Sequence, residues 1–176
     1  LFRSAPESGL LLGAQVSGFD GVDKRLDVLA TAISFGAQVG DLFHLDLAYS
    51  PPFATTKDPV HYTGMALDNA ITGRASLITP AELDARLASG EPLQVVDVRS
   101  ASDFTTTHVP GAVNIPLAEL RDRLGELDPD VPTVTYCNKG VSGNAGQNIL
   151  LRHGFKTVLN ISGGNSNYQT HLRQTQ

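Results

Sequence analysis

Thr133-Val-Thr-Tyr-Cys137-Asn-Lys-Gly-Val-Ser142-Gly143-Asn-Ala145 is the stretch whose reading decides the fold. Its opening residues are β-branched or aromatic and predict a strand over Val131–Tyr136. The strand runs into Cys137, the only cysteine of the chain. A glycine-bearing loop follows, and apolar residues at helical spacing predict a helix over Asn144–His153, stopped by Gly154. A thiol at the C-terminal tip of a buried strand lies where open α/β sheets bind ligands. Loop N–H groups with a helix dipole behind them favour an anion, here a thiolate or a persulfide. The thiolate is the nucleophilic form. The competing reading of a lone cysteine is a small packed hydrophobe; the loop and the helix behind it favour the reactive role.

Working outward, strands and helices alternate with short connections. Thr79-Pro-Ala-Glu82 is a capping box with proline at the first helical position, Leu83 and Leu87 share a face, and Gly90 ends the helix. Leu93–Val98 predicts a buried strand and Asn114–Ile115 a short one. Pro116 is expected to start a helix with Leu117, Leu120 and Leu124 on one side and Gly125 as its stop. Thr157–Ile161 is the last strand, before Ser162-Gly-Gly. This alternation predicts an α/β fold: a mostly parallel sheet with helices on both faces.

Residues 1–75 read as a separate unit, with Ile71–Ser76 as linker and residues 76–176 as the second domain. Leu10–Ser17 is strand-like. Val22, Leu26, Leu29 and Ile33 define one face of a helix with Asp20 as N-cap and Gly36 as stop. A short helical piece covers Val39–His44. Ala48-Tyr-Ser-Pro-Pro-Phe53 is extended, because paired prolines exclude helix. A further helix is expected from Asp58-Pro59 to Ile71. This is too little sheet for an independent core, so the unit reads as the incomplete tail of an α+β domain. The start at Leu1, without methionine or a basic leader, fits the same expectation.

Composition narrows the function classes. Hydrophobic residues make up 41% and charged residues 18% of the 176 positions, as in globular proteins. The net charge of −5 and the lack of a dense Lys/Arg run argue against nucleic acid. No apolar run reaches the roughly 20 residues needed to span a bilayer, so no membrane role is expected. A single cysteine excludes an intrachain disulfide and points to the cytoplasm. His44, His61, His108, His153 and His171 lack metal-ligand spacing, and no metal site is expected. His108 and His153 read as hydrogen-bonded structural residues. Asp97 and Arg99 at a strand end read as an ion pair that orients the loop.

Residues 77–170 resemble the rhodanese (sulfurtransferase) family. The matching pieces occur in order: Thr79-Pro-Ala-Glu82, Val96-Asp-Val-Arg99, Asp103-Phe104, His108-Val-Pro-Gly-Ala112, Asn114-Ile-Pro116, Tyr136-Cys-Asn-Lys-Gly140, Gly154-Phe155 and Gly163-Gly164. The resemblance implies a five-stranded sheet. It also implies a Cys137 persulfide formed from a small-molecule sulfur donor and passed to a thiol acceptor. Asn138, Lys139, Gly140, Val141, Ser142 and Gly143 are the implied substrate-binding residues. Many rhodaneses carry arginine where this chain has Ser142, which implies weaker use of anionic donors such as thiosulfate. Thr107 before His108, and Tyr168 where tryptophan is common, are further departures and read as structural.

The first unit resembles the end of the dimerisation domain of flavin-dependent pyridine nucleotide–disulfide reductases, in the branch of coenzyme A disulfide reductases. Gly13-Ala-Gln15, Gly21–Arg25, Asp27–Ala32, Asp46–Phe53 and Lys57-Asp-Pro-Val60 carry that match. Some members fuse a C-terminal rhodanese domain. The resemblance implies a homodimeric parent using FAD, NADH and coenzyme A, with Tyr49 as a possible coenzyme A contact. No flavin or nicotinamide glycine motif occurs in this sequence, so no cofactor is expected on it. Two other readings compete: a non-catalytic module that binds a coenzyme A or acyl carrier or mediates assembly, and a phosphatase or arsenate reductase. The second of these needs an arginine closing the cysteine loop, and neither Ser142 nor Gly143 supplies one.

Overall fold

A computed structural model describes residues 2–52, 56–73 and 76–175. The Phe53 end of the Tyr49-Ser-Pro-Pro segment and Arg74-Ala75 of the expected linker lie outside the described residues. The chain forms two compact units, Leu1–Arg74 and Ala75–Gln176.

In the first unit, β1 (Phe2–Ser4) pairs antiparallel with β2 (Leu11–Ala14). Helices α1 (Val22–Ser34), α2 (Val39–Leu42) and α3 (Pro59–Ile71) follow. Leu11, Leu29, Val39, Leu42 and Val60 form its core. Three details differ from expectation. β1 has too few residues for a periodic signal. Gly21, in the left-handed region with φ 62°, caps α1 in place of Asp20, with no side-chain cap. Leu26 stays 41% exposed while Val28 and Ala32 pack on the core, so the inner face of α1 is rotated from the predicted one. Asp58 caps α3 by accepting from Val60 N at 3.0 Å, and Pro59 occupies the first turn.

The second unit is an α/β domain. Its strands are β3 (Leu77–Ile78), β4 (Gln94–Asp97), β5 (Val113–Asn114), β6 (Thr133–Tyr136) and β7 (Val158–Ile161). They form one five-stranded sheet in the order β3-β7-β6-β4-β5, and every pairing is parallel. Its helices are α4 (Pro80–Ser89), α5 (Ala101–Thr106), α6 (Val141–Arg152) and α7 (Gly164–Thr175). The two-residue alternation of strands sorts side chains between two cores. Val95, Val134 and Tyr136 point to the side of Leu83 and Tyr168, from α4 and α7. Val96, Val98 and Cys137 point to the side of Ile149 and Leu150, from α6. Cys137 therefore leaves the tip of the sheet on the α6 face.

The helix expected from Pro116 to Gly125 does not form. Turns lead into a single 3₁₀ turn over Leu124–Glu126, with Gly125 inside it. The bonds Glu119 N to Pro116 O and Asp122 N to Glu119 O span three residues. This tighter winding brings Leu117, Leu120, Leu124 and Leu127, at spacings of three and four, onto one core. Two helices were absent from the sequence reading. α5 is short and carries no buried residue. α7 is mostly polar, with Tyr168 and Leu172 as its only large apolar residues.

Candidate active site

The site is built where β6 gives way to α6. The helix begins at Val141, three residues before the predicted start, so the connecting loop is only Cys137–Gly140. Val141, Ser142 and Gly143 form the first helical turn rather than part of the loop. Gly140 takes φ 104°, a left-handed conformation that side chains rarely adopt. In that conformation its N–H points at Cys137 Sγ, 3.2 Å away. Its carbonyl accepts from Asn144 N at 2.8 Å and from Asn160 Nδ2 at 3.0 Å.

The loop carbonyls are held from outside. Cys137 O accepts from Asn165 N at 2.8 Å and Asn138 O from Ser166 N at 3.1 Å, both in the first turn of α7. This contact is possible only because residue 164 is glycine. A Cβ there would meet Cys137 O and lie 2.7 Å from the Asn138 carbonyl carbon. With these carbonyls turned toward α7, the amides of Lys139, Val141 and Ser142 donate to no acceptor among the described residues. α6 has no side-chain cap. The result is a group of open main-chain donors and a positive helix end beside one sulfur atom.

An ion pair fixes the loop from β4. Arg99 Nη2 lies 2.6 Å from Asp97 Oδ2, and both side chains are buried. Arg99 Nη1 donates to Asn138 Oδ1 at 3.0 Å and Nη2 to the Thr107 carbonyl at 2.6 Å. Burial by itself would lower the Arg99 pKa, but the hydrogen bonds and charge of Asp97 outweigh it and raise it. The guanidinium thus stays a fixed cation. Thr107 Oγ1 accepts from Asn165 Nδ2 at 3.0 Å, joining α5 to α7.

Cys137 is 8% exposed and reaches a cleft of about 520 Å³ lined by Arg99, Asp103, Asn138, Lys139, Val141 and Ser142, among others. Of the residues singled out from sequence, Asn138, Lys139, Val141 and Ser142 line this cleft with Cys137, and Gly140 supplies its N–H. Gly143 lies elsewhere: from the first turn of α6 it packs against the end of β6, where a Cβ would lie 3.0 Å from Tyr136 Cα. Tyr49, in the first unit, is 55% exposed and borders a separate cleft with Lys24, Arg25 and Asp58. His108 stacks on Phe104 and bonds the Phe104 carbonyl at 2.9 Å, and His153 bonds the Ile149 carbonyl at 2.8 Å. Asn160 and Asn165 were missed by sequence reasoning. A polar residue inside the apolar run Val158-Leu-Asn-Ile161 was the available signal for Asn160; Asn165 had none. No strand-to-helix turn among the described residues carries a Gly-x-Gly-x-x-Gly pattern.

Among known proteins, the chain aligns over 98% of its length with reduced Bacillus anthracis CoADR-RHD, at 38% identity and TM-score 0.85. It aligns over 95% of its length with a NAD-dependent persulfide reductase from A. fulgidus, at 32% identity and TM-score 0.79. It covers only 30% and 29% of those chains, and 26% and 50% of the first curated relatives it matches. The thiosulfate sulfurtransferase GlpE of Shewanella oneidensis is 31% identical over 79 residues, which are 45% of this chain and 78% of that protein. The rhodanese-like domain model matches residues 79–171, more than half of the sequence. With the parallel sheet, the cysteine at its tip and the ordered motifs in agreement, the chain belongs to the rhodanese-like family.

Proposed function

We propose that this chain transfers sulfane sulfur through a persulfide on Cys137. The observation that most supports it is the Gly140 N–H aimed at Sγ, with the amides of Lys139, Val141 and Ser142 left open in the adjoining loop and first helical turn. In the first half-reaction the Cys137 thiolate attacks the terminal sulfur of a persulfide or polysulfide. The donor's S–S bond breaks, and its carrier leaves as a thiolate with the bonding electrons. The product, Cys137–S–S⁻, carries its charge on the outer sulfur, where main-chain donors stabilise an anion. In the second half an acceptor thiolate attacks that sulfur, and Cys137 leaves as the thiolate. The two halves sum to no net oxidation.

Donor preference follows from the cleft's charges. Ser142 offers a neutral donor, and Asp103 lines the same cleft as Lys139. A hydrogen bond to a charged group contributes about 1.5–3 kcal/mol, against about 1 for a neutral one. Persulfides and polysulfides therefore suit the site better than thiosulfate. In the parent polypeptide this domain delivers sulfur to a flavoenzyme of the coenzyme A disulfide reductase type, a cytoplasmic homodimer that holds FAD and NADH on its other domains. Tyr49 then contacts coenzyme A. The resemblance of the first unit and the two long structural alignments support this assignment.

A second reading, a module that binds a coenzyme A or acyl carrier without chemistry, takes its support from the packing of Cys137 within an apolar cluster. Exposure to polysulfide followed by mass spectrometry separates the two. Sulfur transfer requires one added sulfur on Cys137, removed by cyanide as thiocyanate, and no turnover in Cys137→Ser. An unmodified Cys137 leaves the binding module as the reading.

A further inference from the structure

A second cavity, of about 850 Å³, adjoins the Cys137 cleft and shares Arg99, Asp103 and Asn138 with it. One wall is α7. Ser166, Gln169, Thr170 and Arg173 fall at i, i+3, i+4 and i+7, a single helical face, and all four line the cavity. At 1.5 Å per residue, that face runs about 10 Å from Ser166 to Arg173. Its near end is fixed to the reactive loop, because Asn165 N and Ser166 N hold the Cys137 and Asn138 carbonyls. The facing wall, from α5, is also polar, with Asp103, Thr106 and Thr107. The other side of α7 buries Tyr168 in the core, and the half-buried Leu172 packs against that core and also borders the cavity. That side is anchored by Tyr168 Oη and His171 Nε2, which bond the two Asp84 oxygens at 2.7 and 3.1 Å.

The trough thus meets the Cys137 cleft at Arg99, Asp103 and Asn138 and has a cation, Arg173, on its α7 wall. Arg173 Nε donates to the Gln169 carbonyl at 3.1 Å, and no carboxylate among the described residues pairs with the guanidinium. Midway, Gln169 Nε2 makes a long bond to Asn165 Oδ1 at 3.4 Å, and Thr170 Oγ1 donates to the Ser166 carbonyl at 3.0 Å while its lone pairs can still accept. We infer that this trough seats the carrier of the sulfur donor or acceptor: a low-molecular-weight thiol whose arm bears amide groups and an anionic group. Coenzyme A, with a pantetheine arm and phosphates, and a peptide thiol such as glutathione, with carboxylates, both present this chemistry. The assignment rests on Cys137 being the sulfur-bearing residue. It adds Gln169 and Arg173 as residues that determine which carrier is used.

Two measurements test it. Free coenzyme A and free glutathione are titrated calorimetrically into full-length Cys137→Ser protein, with and without Arg173→Ala. Binding of at least one thiol, weakened about two- to fivefold by Arg173→Ala, is expected for an exposed charge contact. Sulfur-transfer kinetics then compare the persulfide of the bound thiol with inorganic polysulfide, which has no arm. Arg173→Ala and Gln169→Ala should raise the ratio of the two KM values by a similar factor, mainly through the carrier persulfide and with little change in kcat. Whichever thiol responds identifies the source. An unchanged ratio, or a titration in which neither thiol binds, overturns the trough. Failure of polysulfide to load Cys137 overturns the nucleophile assignment instead, and the titration still reports on the trough.

Discussion

Asn160 Nδ2 holds the Gly140 carbonyl at 3.0 Å, reaching from the strand next to the one that carries Cys137. Asn160 is 3% exposed, and its Oδ1 is a buried side-chain atom with no hydrogen-bond partner among the described residues. That oxygen occupies the space a side chain at Gly143 would need. The residue therefore sets both the loop's glycine and the close approach of α6 to the sheet. Replacing it with valine removes this donor while Asn144 N still holds the Gly140 carbonyl, and should cost about 0.5–1.5 kcal/mol. Urea unfolding checks the loss. Persulfide loading of Cys137 should fall further than in an equally destabilised variant of the first-unit core, such as Ile33→Val. Equal loading in the two would mean that Asn160 supports only the fold.

The Asp97–Arg99 pair should behave as a buried ion pair whose halves depend on each other. Arg99→Leu leaves a fully buried carboxylate without its cation and should cost about 3–5 kcal/mol. The double variant Asp97→Val, Arg99→Leu should cost less than the two single changes combined. Additive losses in denaturant midpoints would contradict the coupling.

Gly164 is predicted to be intolerant for two reasons. Its φ is 61°, and an added Cβ would strike the Cys137 carbonyl. Gly164→Ala should destabilise by at least about 2 kcal/mol and lower persulfide loading. Gly90→Ala, with φ 74° and open space around it, pays only the conformational term of about 1 kcal/mol. Similar midpoints for the two variants would show that the contact with the loop is unimportant.

Alkaline stability should report on two buried phenols. Burial raises the Tyr136 pKa, and burial together with the hydrogen bond to Asp84 raises that of Tyr168. An unfolded tyrosine titrates near 10. Above that pH the unfolded chain sheds protons that the folded chain retains, so unfolding becomes easier as pH rises. The contribution is fully present below about pH 10 and is lost above it. Urea midpoints between pH 9 and 11 should decline more gently in Tyr168→Phe than in the parent.

Ser142→Arg should shift donor choice. Exchanging a neutral donor for a charged one at the cleft should raise thiosulfate turnover relative to polysulfide by about tenfold, the equivalent of about 1.4 kcal/mol. Paired steady-state assays with the two donors measure the ratio. A constant ratio would mean that a cation at this position does not govern donor preference.

The alternating pattern of the second unit was sufficient to read its parallel sheet, because strand and helix periods are local properties of the chain. Capping chemistry was equally readable. Thr79 accepts from Glu82 N while Glu82 bonds back to Thr79 N, as that tetrapeptide requires. Cys137 stood out because the run before it is strand-like and the loop after it carries glycine. The boundaries were less secure. Val141 lies inside α6 although its side chain is 80% exposed, so no apolar contact marked the helix start.

The sequence alone therefore determined the α/β class, the ordered rhodanese motifs and the position of the one thiol, all of which depend on neighbours within a few residues. Tertiary structure decided how that thiol is surrounded. The contacts that shape the site join residues far apart in sequence: Arg99 with Asn138, Asn160 with Gly140, and Asn165 with Thr107 and Cys137. No periodicity encodes such pairs. They form only when the parallel strands bring their C-terminal ends together, and a polar helix such as α7 is held there by Tyr168, Leu172 and the loop carbonyls rather than by its own amphipathic signal.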